Sequence, residues 1–314
     1  MILLEDENAL IQATLTAKFA EPGPVDQTFT DFDDVHYYLE SSKAGPVSLS
    51  MGIKCWRDLE QAGAMDVLKR EYGSYLLPQP REGYSVSLEI DYASLPQDAE
   101  SRAALVQSLS LLKRHAMAAP FERAFALQKS LESSAEDPSA AQAASGATDI
   151  MTISYRDDEA IYIVPGADRV TVVFSTIFKE ETDKIFGRVF LQEFVDARRQ
   201  PSIQNAPQVL YSNREPPLEI RSIPGLSRGE DVGYVTFVLF PRHFSSSETM
   251  AATISRLQLF RTFLHFHIKC SKVWMHTRMR GNVASFLKVL NRAKPENVEK
   301  ERKTATGRTF KRTV

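Results

Sequence analysis

The stretch DRVTVVFSTIF, residues 168–178, followed by KEETDKIFGRVFLQEFVDARR, residues 179–199, decides how the chain folds. The first run is dense in β-branched residues, which suit a pleated, packed surface. The second has helical spacing of its apolar positions. Two further strands are expected after it, in PQVLYSNREPPLEI (207–220) and in GYVTFVLFPRHF (Gly233 to Phe244). Upstream, DDEAIY (Asp157 to Tyr162) reads as the strand before the run, and a long helical segment opens at Ser246. The order is therefore β-β-α-β-β-α.

The first 129 residues carry the same plan. DDVHYY (Asp33 to Tyr38) repeats the Asp-Asp-x-x-x-Tyr spacing, and PVSLSMGI (Pro46 to Ile53) alternates as a second strand. A helix is expected from Trp56 to Gly73, with the glycine ending it. Tyr75 to Tyr92 is hairpin-like, and its Gly83, Tyr84, Ser87 and Leu88 echo Gly-Tyr-x-Thr-Phe of 233–237. A long helix follows over Ser101 to Lys129, broken or kinked at Pro120. An opening helix spans Leu4 to Phe19. Between the halves, SLESSAEDPSAAQAASGATD (130–149) has almost no large apolar side chain and reads as a flexible linker. Adjacent strands favour antiparallel pairing with helices on one face. The expected fold is α+β: two similar two-layer domains with antiparallel sheets and a long C-terminal helix. The boundaries are 1–129, a linker at 130–149, 150–295, and a basic tail at 296–314.

Composition bounds the function. Apolar residues make up 43% and charged residues 25% of 314 residues, ordinary for a globular protein. No apolar run nears the roughly 20 residues that span a bilayer. The acidic N-terminus MILLEDENALIQ lacks the basic start of a signal peptide. Cys55 and Cys270 are the two cysteines, too few for a disulfide framework, which points to the cytoplasm. The net charge of −2 conceals an asymmetry. From Arg256 onward there are 15 Lys/Arg against 3 Glu, while the preceding residues hold 23 basic against 37 acidic. A basic C-terminus behind an acidic body points to an acidic partner, either nucleic acid or a protein filament.

Residues 265–280, HFHIKCSKVWMHTRMR, concentrate histidine, cysteine and basic side chains. On a helix, His265 and His276 share a face but stand about 16 Å apart, too far to ligate one ion. His267 and Cys270 are neighbours, yet two ligands do not make a structural zinc site. Cys270 shares a face with Phe263, Phe266 and Trp274, so it is expected to be buried as a small hydrophobe. The acid pairs Asp33–Asp34 and Asp157–Asp158 sit where strands begin and suit turns. No GxSxG, Walker loop, HExxH or GxGxxG after a strand occurs, so no catalytic site or cofactor is expected. His265, Lys269, Lys272, His276 and Arg280 form one stripe, either a solvated face or a basic rim. Phe260, Phe263, Leu264, Phe266, Ile268, Trp274, Met275 and Met279 cover most of the rest, and Val283, Phe286, Leu287 and Leu290 continue it. Such a wide apolar arc needs cover beyond its own sheet.

Several blocks carry a resemblance: YRDDE (155–159), DRVTVVFSTIFKEE (168–181), APQVLYSNREPPLE (206–219), GYVTFVLFPRH (233–243), HIKCSKVWMHTRMR (267–280) and FLKVLNRAKP (286–295). With MILLE and GYSVSL they resemble the subunit 2 family of the actin-related protein 2/3 complex. The resemblance implies non-enzymatic scaffolds of two related domains with a secretion-chaperone-like fold. It implies pairing with subunit 4 through long C-terminal helices, and a core that binds the side of a mother actin filament in the cortical cytoskeleton. It implies nucleotide bound by the actin-related subunits rather than by this one. Phe263, Phe266, Trp274, Met275, Met279, Phe286 and Leu290 are then expected at the subunit interface. Lys288, Arg292, Lys294, Lys303 and Arg308 are expected on the filament, with Phe260 as an apolar anchor. The alternative, a nucleic-acid-binding module, lacks an RNP, KH or zinc-finger pattern.

Overall fold

A polar start gives way to the first buried helix at Asn8, whose side chain accepts from the Leu10 and Ile11 amides and so caps α1, Ala9–Ala20. Ile11, Leu15 and Phe19 recur every four residues and are its buried face. The computed structural model describes residues 4–43, 45–135, 149–197, 200–201, 204–229, 231–293, 302–303 and 309–310. Most of the expected linker lies outside the described residues. Its first six, 130–135, are the end of a helix.

The first sheet holds β1 (Val25–Thr30), β2 (His36–Ser41), β3 (Val47–Gly52) and β4 (Val86–Ile90), in sequence order and all antiparallel. Alternation sets its register. Tyr37, Met51 and Val86 form one cross-strand row, and Leu39, Leu49 and Leu88 another. All six are buried, so a one-residue slip would expose both rows. The helix expected over 56–73 divides into α2 (Trp56–Gln61) and α3 (Ala64–Tyr72). Gly63 between them adopts φ 96°, which favours glycine. The first arm of the expected hairpin is reduced to one bridge, Leu76 opposite Leu88 on the outer edge of β4. The long helix is also two, α4 (Ala99–Ser110) and α5 (Leu112–Ala135). The interruption falls at Leu111, and Pro120 lies inside α5.

The second sheet contains β5 (Met151–Ile153), β6 (Ile161–Pro165), β7 (Val170–Ile177), β8 (Gln208–Asn213) and β9 (Val232–Leu239), in the order β5-β6-β7-β9-β8 and all antiparallel. Between β7 and β8 comes α6, Glu181–Ala197. The two sheets share one topology. Three strands form a meander, a helical segment follows, and the last strand returns beside the third. The Leu76 bridge then stands where β8 stands. Asp33 and Asp157 both precede the second strand of their half. The Gly-Tyr echo does not correspond: Gly83 turns at φ 83° before β4, whereas Gly233 lies within β9.

β7 is buried on both faces. Val173, Tyr234 and Val232 pack under Ile220, with Ile223 and Leu226 alongside, so the 218–226 segment covers that face. On the other face Phe174 and Phe237 meet Phe260 of α7, the 47-residue helix Ser247–Ala293. Glu248 lies in the first turn of α7 and Arg292 in its last, matching the helix dipole. Residues 1–266 form one compact unit and 267–314 another, with the division inside α7. No described helix is long and apolar enough to cross a membrane.

Candidate functional site

The second half of α7 is where large apolar side chains meet solvent. Val273, Trp274, Met275, Met279, Val283, Phe286, Leu287, Val289 and Leu290 are all exposed, Phe286 at 63%. Isolated surface hydrophobes are ordinary, but nine within eighteen residues make a patch. At 100° per residue, Met275, Met279, Val283, Phe286, Leu287 and Leu290 share an arc of about 120°. Trp274, Arg278, Lys288 and Arg292 gather within about 80° on the opposite side. The Arg278 guanidinium stacks over the Trp274 ring, 4.7 Å from its centroid. This half of the helix thus has an exposed apolar arc, with His276 inside it and Arg280 at its margin, and an opposing exposed cluster of cations.

The expected site residues divide accordingly. Met275, Met279, Phe286 and Leu290 lie together on the apolar side, and Trp274 lies among the cations instead. Phe263 and Phe266 are half-buried in the compact unit. Phe260 is half-buried too, its ring centroid within 6.5 Å of those of Phe174, Phe194 and Phe237. Lys288 and Arg292 are exposed. Lys294 and Arg308 lie outside the described residues. Lys303 belongs to a two-residue strand, Arg302–Lys303, paired with Thr309–Phe310.

Two readings of the 265–280 stretch change. Cys270 is exposed, not packed as a small hydrophobe. The buried cysteine is Cys55, whose thiol is pushed up to about 12 by burial, with Asp58 adding to it. The stripe keeps to one side of the helix but not to one environment: His265 stacks on Phe178 at 5.8 Å and sits 3.4 Å from the Thr176 hydroxyl, while Lys269, His276 and Arg280 are exposed. Among the described residues, no three His, Cys, Asp or Glu side chains come together as metal ligands.

Asp33 and Asp34 do lie in the turn between β1 and β2, and both acid pairs supply an ion pair, Asp157 to Lys54 and Asp33 more extensively. Asp33 binds Arg156 at 2.8 Å and stands 3.6 Å from Lys113. Glu159, nearly fully buried, accepts from Arg261 at 2.8 Å, from the Ile177 amide at 3.0 Å and from the Thr176 hydroxyl at 3.1 Å. Burial, and then the Glu159 charge, raise the pKa of the neighbouring Tyr155 hydroxyl. Sequence reasoning passed over these ion pairs. The signal was present: Arg261 occupies the spacing of Leu257, Leu264 and Ile268, all buried, and a charge on a buried stripe demands a carboxylate.

Comparison with known proteins agrees with the geometry of the chain. Residues 49–297 match the family described as P34-Arc: Arp2/3 complex, 34 kD subunit p34-Arc. A Schizosaccharomyces pombe protein, actin-related protein 2/3 complex subunit 2, is 51% identical over 99% of this chain and all of its own length. A Dictyostelium discoideum protein of the same name is 38% identical over 99% of both chains. Matched along nearly its whole length, with two antiparallel sheets and the long helix in place, the chain belongs to the p34-Arc family of Arp2/3 complex subunits.

Proposed function

We propose that this chain is a non-enzymatic scaffold subunit of an actin-related protein 2/3 complex. It pairs with subunit 4 through the apolar side of α7 and contacts the side of the mother filament through the basic side, at the cortical actin cytoskeleton. The carrying observation is the division of residues 275–292 into an exposed apolar arc and an opposing cluster of cations. An apolar arc of that width suits an obligate subunit interface, which resembles a divided core. A cationic face suits an acidic filament, because complementary charge steers encounter and fixes register. Lys288, Arg292, Lys294, Lys303 and Arg308 are the proposed filament contacts, with half-buried Phe260 a lesser one.

The test is co-sedimentation of the assembled complex with actin filaments. Lys288→Glu, Arg292→Glu and Lys294→Glu together are expected to weaken binding by about tenfold or more, since like charges across an interface cost several kcal/mol. Raising salt is expected to weaken the unmodified complex, because exposed charges are screened within about 8 Å at physiological ionic strength. A triple variant that assembles, keeps its helical circular dichroism and binds filaments undiminished would overturn the filament contact. Binding of nucleic acid in place of filaments would favour the alternative reading.

A further inference from the structure

The turn between β1 and β2 holds two successive residues, Asp33 and Asp34, at φ 66° and 56°. Non-glycine residues rarely take this left-handed region, and surrounding contacts must hold them there. Those contacts are specific. The Asp31 carboxylate accepts from the Phe32 amide at 2.6 Å, and Lys113 of α5 donates to the Phe32 carbonyl at 2.8 Å. Arg156, between β5 and β6, donates to one oxygen of Asp33 from Nε at 2.9 Å and pairs with it through Nη2 at 2.8 Å.

Arg156 has a second partner. Its Nε stands 3.7 Å from Oε2 of Glu159, the same oxygen that takes Arg261 Nε of α7 at 2.8 Å. Glu159 is 5% exposed, and its Oε1 is committed to Thr176 and Ile177 of β7. Two guanidinium groups thus address one buried oxygen, and Asp33 is what draws Arg156 away from it. We propose that Asp33, Lys113, Arg156, Glu159 and Arg261 form a clasp in which Arg156 couples the 31–35 turn to the seating of α7. When Arg156 loses Asp33, it moves onto Glu159 Oε2 and competes with Arg261, so turn and helix loosen together. The driving force is the pull of the buried Glu159 carboxylate on a released guanidinium: Glu159 is 5% exposed, whereas Arg156 is 34% exposed and free to move. The inference does not depend on what partner α7 meets.

Hydrogen exchange followed by mass spectrometry tests it on the full chain, in whatever assembly it purifies with. Asp33→Asn is expected to raise exchange about tenfold both in peptides covering 29–36 and in peptides covering 256–264, although the side chain at position 33 touches neither Glu159 nor Arg261. In an Arg156→Gln background, which removes the charge that can move onto Glu159, Asp33→Asn is expected to affect only the turn. A rise confined to 29–36 with Arg156 present overturns the clasp and leaves two independent ion pairs. If Asp33→Asn does not fold, Asp33→Glu keeps the charge but misplaces it. A change in the helix peptides then supports the coupling, and its absence overturns it.

Discussion

Gly187 sits in the middle of α6 because the Phe178 ring occupies the space beside it. A β-carbon there would lie 2.6 Å from the ring's Cζ, and the ring is itself held against His265. Ala normally stabilises a helix by about 1 kcal/mol over Gly. Here the reverse is expected: Gly187→Ala should lower stability by about 1–3 kcal/mol, measured by urea unfolding, as extra volume forces a packed ring to move. His115 gives a second expectation. Its Nδ1 lies 2.8 Å from the Tyr72 hydroxyl, and burial lowers its pKa from 6.5 to about 4. The unfolded chain therefore takes up the proton first as pH falls. Stability is intact above about pH 6.5 and is lost progressively toward pH 4, by up to about 3 kcal/mol at 1.36 kcal/mol per pKa unit. His115→Gln should flatten that dependence in melting curves taken across the window. An undiminished slope would assign the acid loss to other groups. Neither residue was legible in the sequence, because neither the Phe178 ring nor the Tyr72 hydroxyl is near its partner in the pattern of a single element.

Periodicity located α7 and β3, and runs of β-branched and aromatic residues located β7 and β9, which are buried on both faces; the Asp-Asp-x-x-x-Tyr spacing located β2. Pattern reading missed β1, VDQTFT, an edge strand that is mostly exposed and polar, and β5, MTI, too short to have a period. It also misplaced Cys270. Cys270 shares a side with Phe263, Phe266 and Trp274, but that side lies about 200° around the helix from Ile268, opposite the buried stripe of Leu257, Leu264 and Ile268. Spacing also does not say where along the helix the cover ends, and beyond Ile268 its own azimuth meets solvent. The exposed apolar arc predicts how α7 behaves. Met279→Asp with Phe286→Asp places two carboxylates at the centre of the proposed subunit interface, where an unpaired buried charge costs several kcal/mol. Co-purification with subunit 4 is expected to be lost, while the circular dichroism of the sheets is retained. Retained pairing would place the interface elsewhere.

The internal repeat was legible because two runs of landmarks occur in the same order along the chain, and the two sheets share a topology, four strands against five with the Leu76 bridge in the place of β8. The ion pairs that join the halves were not, because Asp33 and Arg156 are 123 residues apart and nothing in either segment names the other. The copies differ chiefly at their ends: α5 has 24 residues and α7 has 47. The apolar arc open to a partner lies in the longer one. The placement of β9 between β7 and β8 has a consequence for the chain as it is made. The hydrogen-bonding edge of β7, Val170–Ile177, waits for a strand whose last residue is Leu239. At 5–20 residues per second, the interval on the ribosome is roughly 3–12 s. For that time a β-branched ribbon stands with one edge unpaired, so slow translation through 178–239 is expected to favour misassembly at that edge.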